Sequence, residues 1–156
     1  KKVLKQIQDL RKKLNISEEE EMMFYHDFIE EEVTPKQVSD LEKFADKLLK
    51  KFNIDVTFTR HFVDRMNDPR NSPEIKVSEL QKLFKKIQKN KGKNILSNPD
   101  IEAVLKDMST DLNLPVVINY KDGEFELVNK TIMRKKNFGT SSKVLKYEDF
   151  MNNLKP

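Results

Sequence analysis

Apolar positions in the N-terminal third of the chain recur every three or four places. Val3, Leu4, Ile7, Leu10 and Leu14 make one helical face. Asn15 or Ser17 closes that segment, and Ser17-Glu18-Glu19-Glu20 reads as a capping box for a second helix carrying Met22, Met23, Phe24, Phe28 and Ile29. The acids on its outer face, with His26 among them, read as a solvated surface whose first-turn members suit the positive end of the helix dipole. Thr34-Pro35 opens a third helix, with Thr34 as N-cap and Pro35 at the first helical position. Its stripe is Val38, Leu41, Phe44, Ala45, Leu48 and Leu49, and Asn53 ends it. Residues 1–53 are therefore a helical extension, which either packs on the rest or forms a docking arm.

The period changes at Ile54. Ile54, Val56 and Phe58 alternate with Asp55, Thr57 and Thr59, the pattern of a half-buried strand. A short helix over His61 to Met66 follows, then a loop, Asn67 to Pro73, with two prolines. Ser78 caps a helix from Glu79 to about Lys89, with Leu80, Leu83, Phe84 and Ile87 on one face and lysines on the other. Gly92 breaks it. Ile101 to Met108 fits a helix better than a strand. Leu114 to Tyr120 is a strand, Lys121-Asp122-Gly123-Glu124 a tight hairpin turn, and Phe125 to Met133 the returning partner. Val144 to Tyr147 offers a last strand. This order predicts an α+β fold over 54–156: N-terminal helices, then a small antiparallel meander with helices packed on one face.

Charge adds a direction to this layout. Residues 1–53 carry 11 basic and 12 acidic side chains, whereas 54–156 carry 19 and 14, so the overall net of +4 comes from the C-terminal part. Between 130 and 146 there are six basic residues and no acidic one. A polyanion is the partner this suggests, although a lysine-rich solvated surface has the same composition. The chain has no cysteine, which removes disulfides, thiol nucleophiles and thiolate zinc sites. Three glycines and no glycine-rich loop argue against a nucleotide cradle. No apolar run approaches the roughly 20 residues of a membrane span, and Lys1-Lys2 leads into an amphipathic segment, unlike a signal peptide. A start at Lys1 fits a processed product or part of a longer polypeptide.

The chemistry concentrates at two places. His61, one of two histidines, stands between Arg60 and Arg65 where the first strand gives way to a helix. An imidazole there can exchange protons with a phosphate ester while arginines hold the charge; a hydrogen-bonded corner histidine fits the same position. Arg65 can equally well pair with Asp64 or Glu79. The second place is the end of the hairpin's return strand, Lys130 to Phe138. Simple alternation puts Lys130, Ile132 and Arg134 on one face and Thr131, Met133 and Lys135 on the other. Such a basic face with Phe138 beside it can hold phosphates and stack a base. Cleaving RNA without a metal requires only that the 2′-hydroxyl lose a proton, that the 5′-oxygen gain one, and that the phosphorane charge be held. His61 with Arg65, Lys130 and Arg134 has the groups for this. No carboxylates and histidines are spaced for a two-metal nuclease.

The run from Ile54 through Thr59-Arg60-His61 to Arg65-Met66, the helix entered at Val77-Ser78-Glu79-Leu80, and the basic exit Val128 to Phe138 together resemble barnase–EndoU–colicin–RelE-like nuclease domains. The versions carried by bacteriophages, often inside larger virion-associated or injected polypeptides, are the most similar. The resemblance covers roughly 54–147. It implies a metal-independent endoribonuclease-like domain of a bacteriophage protein, acting on RNA without a cofactor, in the virion or the host cytoplasm. His61, Arg65, Thr131 and Arg134 are the implied catalytic residues. Arg60, Lys130, Lys135, Lys136, Phe138 and Ser141 are expected nucleic-acid contacts, with Ser142 a weaker one. Two alternatives stand beside it. In one the chain is a non-catalytic virion component that docks on other phage proteins through residues 1–53 and keeps His61 buried. In the other it binds RNA without cutting it.

Overall fold

Thr34 and Gln37 start the first helix by satisfying each other's backbone. The Thr34 hydroxyl accepts from Gln37 N at 3.3 Å, and Gln37 Oε1 accepts from Thr34 N at 3.0 Å. In the computed structural model, which describes residues 32–148, helix α1 runs Pro35–Leu49 and continues as a 3-10 turn, Lys50–Phe52. Asn53 closes it in the left-handed region at φ 60°. Strand β1 (Ile54–Phe58), helix α2 (Phe62–Met66), helix α3 (Val77–Lys89) and the short helix α4 (Lys93–Leu96) follow. The remaining strands are β2 (Ile101–Asp107), β3 (Leu112–Lys121), β4 (Glu124–Asn129), β5 (Met133–Arg134) and β6 (Lys143–Tyr147). The first two expected helices, with His26, lie outside the described residues. No described helix is long and apolar enough to cross a membrane.

The six strands form one mixed sheet in the order β1-β4-β3-β2-β6, with β5 also paired to β3. The meander β2-β3-β4 is antiparallel as expected, but β1 joins β4 in parallel and β6 joins β2 in parallel. The α+β class holds, with a sheet less uniform than a pure meander. Helices α1 and α3 share one core with the sheet, in which Leu41, Phe44, Leu83 and Phe84 meet Val56, Leu105, Leu114 and Leu127. Residue 53 is therefore no structural boundary. Of the two arrangements open to the N-terminal helices, α1 takes the packed one.

Three local expectations change. Ile101–Asp107 is a strand, because Ala103 and Leu105 face the core while Val104 is also buried on the opposite face. A fully buried strand loses its alternation and imitates a helix segment in sequence. Helix α3 begins two residues earlier than expected, with Lys76 in the cap position and Glu79 Oε2 accepting from Lys76 N at 2.9 Å; Ser78 lies inside the helix. The return strand does not run unbroken to Met133. It leaves β3 after Asn129, buries Ile132, and resumes as β5. The hairpin turn itself is as expected, with Asp122 at φ 53° and Gly123 at φ 84°.

The outer edge of β1 is closed by side chains of α1. Val56 N donates to Asp46 Oδ1 at 2.8 Å and Phe58 N to Glu42 Oε2 at 2.9 Å. Four residues along a helix advance about 6 Å and two along a strand about 6.6 Å, so an i, i+4 carboxylate pair matches the outward N–H groups of alternate strand residues. A row of free N–H groups would otherwise invite another strand. Replacing both carboxylates (Glu42→Ala with Asp46→Ala) is expected to lower stability by about 2 kcal/mol and to promote self-association. Denaturant titration and light scattering check the two effects separately, and an unchanged transition would remove this role for α1.

Candidate nucleic-acid interface

Helix α2 is only five residues long and owes its placement to what it buries. Phe62 and Met66, four apart, are sequestered in the core. Phe58 meets Phe62 edge to face at 4.7 Å and Phe84 at 6.0 Å, joining the end of β1 to α2 and α3. With that face inward, His61 and Arg65 share the outward one. Their backbone is fixed, yet the His61 side chain is 79% exposed and its nearest charged neighbour is Asp64 Oδ2 at 4.0 Å. The Arg65 guanidinium makes no hydrogen bond or ion pair with the described residues. The structure gives Glu79 a different partner.

That partner is Arg134, which is recessed. Its Nε donates to Pro73 O (2.9 Å), Nη1 to Glu79 Oε1 (2.9 Å) and Thr110 O (2.8 Å), and Nη2 to Glu74 O (3.0 Å) and Glu79 Oε2 (2.8 Å). All five N–H donors of the guanidinium are spent, and its side chain is 9% exposed. The expectation that Arg134 holds a scissile phosphate is corrected on this ground: the folded chain leaves it no donor to offer. Its backbone N donates to Asn71 Oδ1 at 3.0 Å, and Asn71 Nδ2 donates to Arg65 O at 2.9 Å. One buried amide thus joins the segment after β4 to helix α2.

Between those two walls lies an open groove of about 790 Å³. Thr59, His61, Arg65 and Asn71 line one side, Lys130, Thr131 and Lys135 the other, with Arg134 between. Residues about seventy positions apart meet because Thr59 extends the β1–β4 pairing: its N donates to Asn129 O at 3.0 Å and its hydroxyl to Lys130 O at 2.7 Å. The basic wall is held from behind, since Lys106 Nζ donates to the carbonyls of Lys135 (3.2 Å) and Lys136 (3.1 Å), and the buried Asn113 amide to Lys135 O at 2.8 Å. On the other flank of the His61–Arg65 ridge is a smaller depression of about 350 Å³, which also takes in Asp64 and Asn67. Lys130 is half-engaged, with Glu102 Oε1 at 3.0 Å. Arg65, which feels the Asp68 carboxylate only through space, and Lys135 are therefore the groove's cations without a hydrogen-bonded or ion-paired side-chain partner.

Arg60, Lys136, Phe138 and Ser141 do not line this groove. Arg60 and Lys136 are exposed beside it in sequence only, Phe138 is half-buried and Ser141 exposed in the connection to β6. Asp68, Arg70 and Asn71, read from sequence only as loop, do line it. Asp68-Pro69-Arg70 carried a usable signal, because an aspartate two residues before an arginine can fold back on the latter's backbone N. No group of three or more His, Asp or Glu side chains among the described residues is placed to hold a metal ion. Compared with known proteins, the chain matches no family model, no curated sequence and no solved structure.

The Arg70 side chain and then its backbone N–H hydrogen-bond to the Asp68 carboxylate and hold it at about 2, against an ordinary value of 3.8. The depressed carboxyl favours the fold above the ordinary value and loses that effect as pH falls through about 2. In Arg70→Ala the Asp68 midpoint, followed by carboxyl NMR, is expected to return toward 3.8; a midpoint that stays low would assign the shift to another cause. Arg134→Ala is expected to cost about 3 kcal/mol, because it leaves the largely buried Glu79 carboxylate and three carbonyls, those of Pro73, Glu74 and Thr110, without their donor. Chemical denaturation measures it, and a loss below about 1 kcal/mol would mean that water replaces those bonds.

Proposed function

We propose that the groove holds a phosphodiester of RNA and that the domain is a metal-independent endoribonuclease of the phage-borne kind its sequence resembles. His61 takes the proton of the 2′-hydroxyl. The 2′-oxygen bonds to phosphorus as the bond from phosphorus to the 5′-oxygen breaks, and the imidazolium returns the proton to the leaving oxygen. Arg65 and Lys135 hold the phosphorane charge. Thr131 lines the same groove, and Arg134 holds the surrounding segments together. The observation that carries this reading is His61 itself: it stands exposed on a ridge between two depressions, with Arg65 and Lys135 lining the larger one. A corner histidine kept for structure is buried and hydrogen-bonded, and this one is neither.

One observation favours RNA binding without cleavage. The groove offers a single imidazole, and its one carboxylate, Asp68, is held by Arg70. The same experiment separates the two. Wild-type protein, His61→Ala and Arg65→Ala are incubated with a mixed RNA pool in EDTA, and their binding to the pool is measured alongside. Cleavage is expected from wild type and a fall of about 10²–10⁴-fold in His61→Ala, with thermal stability unchanged because the side chain is exposed. Binding without cutting by wild type supports the second reading. Cleavage that survives His61→Ala unchanged rules out the assigned chemistry.

A further inference from the structure

We infer that Arg70 is a stacking platform for an unpaired nucleobase at the rim of the groove, held in its plane by Asp68. The inference rests on the RNA reading above and adds to it the position that takes a base. Its first support is a locked yet open geometry. Arg70 Nε donates to Asp68 Oδ1 (3.1 Å) and Oδ2 (3.2 Å), Nη2 to Oδ2 (2.7 Å), and the Arg70 backbone N to Oδ1 (2.9 Å). The carboxylate is 19% exposed and the arginine side chain 81% exposed. An exposed arginine ordinarily samples many rotamers. This one is tied through both its backbone and its fork, so a base laid on its face meets a surface that needs little further ordering.

The second support is a division of labour among the groove's cations. Arg65 and Lys135 make no hydrogen bond or ion pair through their side chains, Arg65 feeling Asp68 only through space, and they suit phosphate. Arg70 shares its charge with a carboxylate that stays ionised across the ordinary pH range, so its attraction for a phosphate is offset. What it still offers is a flat, weakly hydrated guanidinium face, a surface on which unpaired bases stack. The third support is that no Phe, Tyr or Trp lines the groove and Phe138 lies outside it, while the one ring there, His61, is engaged in the proposed proton transfer.

The test is fluorescence anisotropy with a short, mixed-sequence, single-stranded 2′-O-methyl oligonucleotide, which the proposed reaction cannot cleave, and with the same backbone carrying abasic sites throughout. Arg70→Ala, Arg70→Lys and Arg70→Trp are compared at one salt concentration, with Asp68→Asn as the variant that frees the arginine. Arg70→Ala and Arg70→Lys are expected to weaken binding roughly tenfold, while Arg70→Trp, which supplies a ring in place of the fork, stays within about twofold of wild type. Asp68→Asn should weaken binding less than Arg70→Ala, and the abasic strand should not distinguish the Arg70 variants. Retention by Arg70→Lys with loss by Arg70→Trp overturns the inference in favour of a phosphate contact. Equal affinity of every variant overturns it outright. If folded wild-type protein binds neither strand, the RNA reading fails and this inference falls with it, an outcome distinct from binding that ignores Arg70.

Discussion

The saturated guanidinium of Arg134 is the interaction on which the groove depends. It draws the loop carbonyls of Pro73 and Glu74, the first turn of α3 through Glu79, and the β2–β3 turn through Thr110 to one point. Glu79 works twice there, because the oxygen that accepts from Arg134 Nη2 also accepts from Lys76 N at the head of α3. A negative side chain in the first helical turn is favoured by the helix dipole in any case. The same carboxylate thus starts a helix and fixes an arginine. Each bond is charge-assisted, and those to Glu79 and Thr110 are partly shielded from water, the setting in which such bonds are strongest.

The high charged fraction of this chain takes on a different meaning in that light. Many charged side chains are structural fasteners. Lys86 Nζ pairs with the buried Asp107 at 2.7 Å, and Asp107 also accepts from Ser109 and Thr110, which shapes the turn that Arg134 grips. Lys106 braces the basic wall through carbonyls, and Glu42 and Asp46 cover a strand edge. The cations left for a ligand are fewer than composition suggests. Among those that line the groove, Arg65 stands on the ridge with His61, and Lys130 and Lys135 stand on the basic wall.

Much of the fold was legible because it rests on short-range signals. Thr34-Pro35 starts α1, Ile54-x-Val56-x-Phe58 alternates, and Asp122-Gly123 can adopt the positive φ of a tight turn. His61 and Arg65 were legible for the same reason: four residues apart beside a buried Phe62, they must share the outward face. The strand Ile101–Asp107 was not, since burial on both faces erases its period. Arg134 was misread because its role is written in partners 24 to 63 residues away, and because Ile132 turns inward and interrupts the alternation that had set its face.

The sequence by itself determined most of the local elements among the described residues, the α+β class, the basic C-terminal part and the His61–Arg65 corner, which follow from composition and from period, capping and turn chemistry within a few residues. Tertiary structure alone decided that β1 and β6 join the sheet in parallel, that α1 belongs to the core, that Arg134 is a fastener, and that Asp68, Arg70 and Asn71 face the groove. Those outcomes depend on which distant donors and acceptors meet once water is excluded, and residue spacing along the chain carries no record of that.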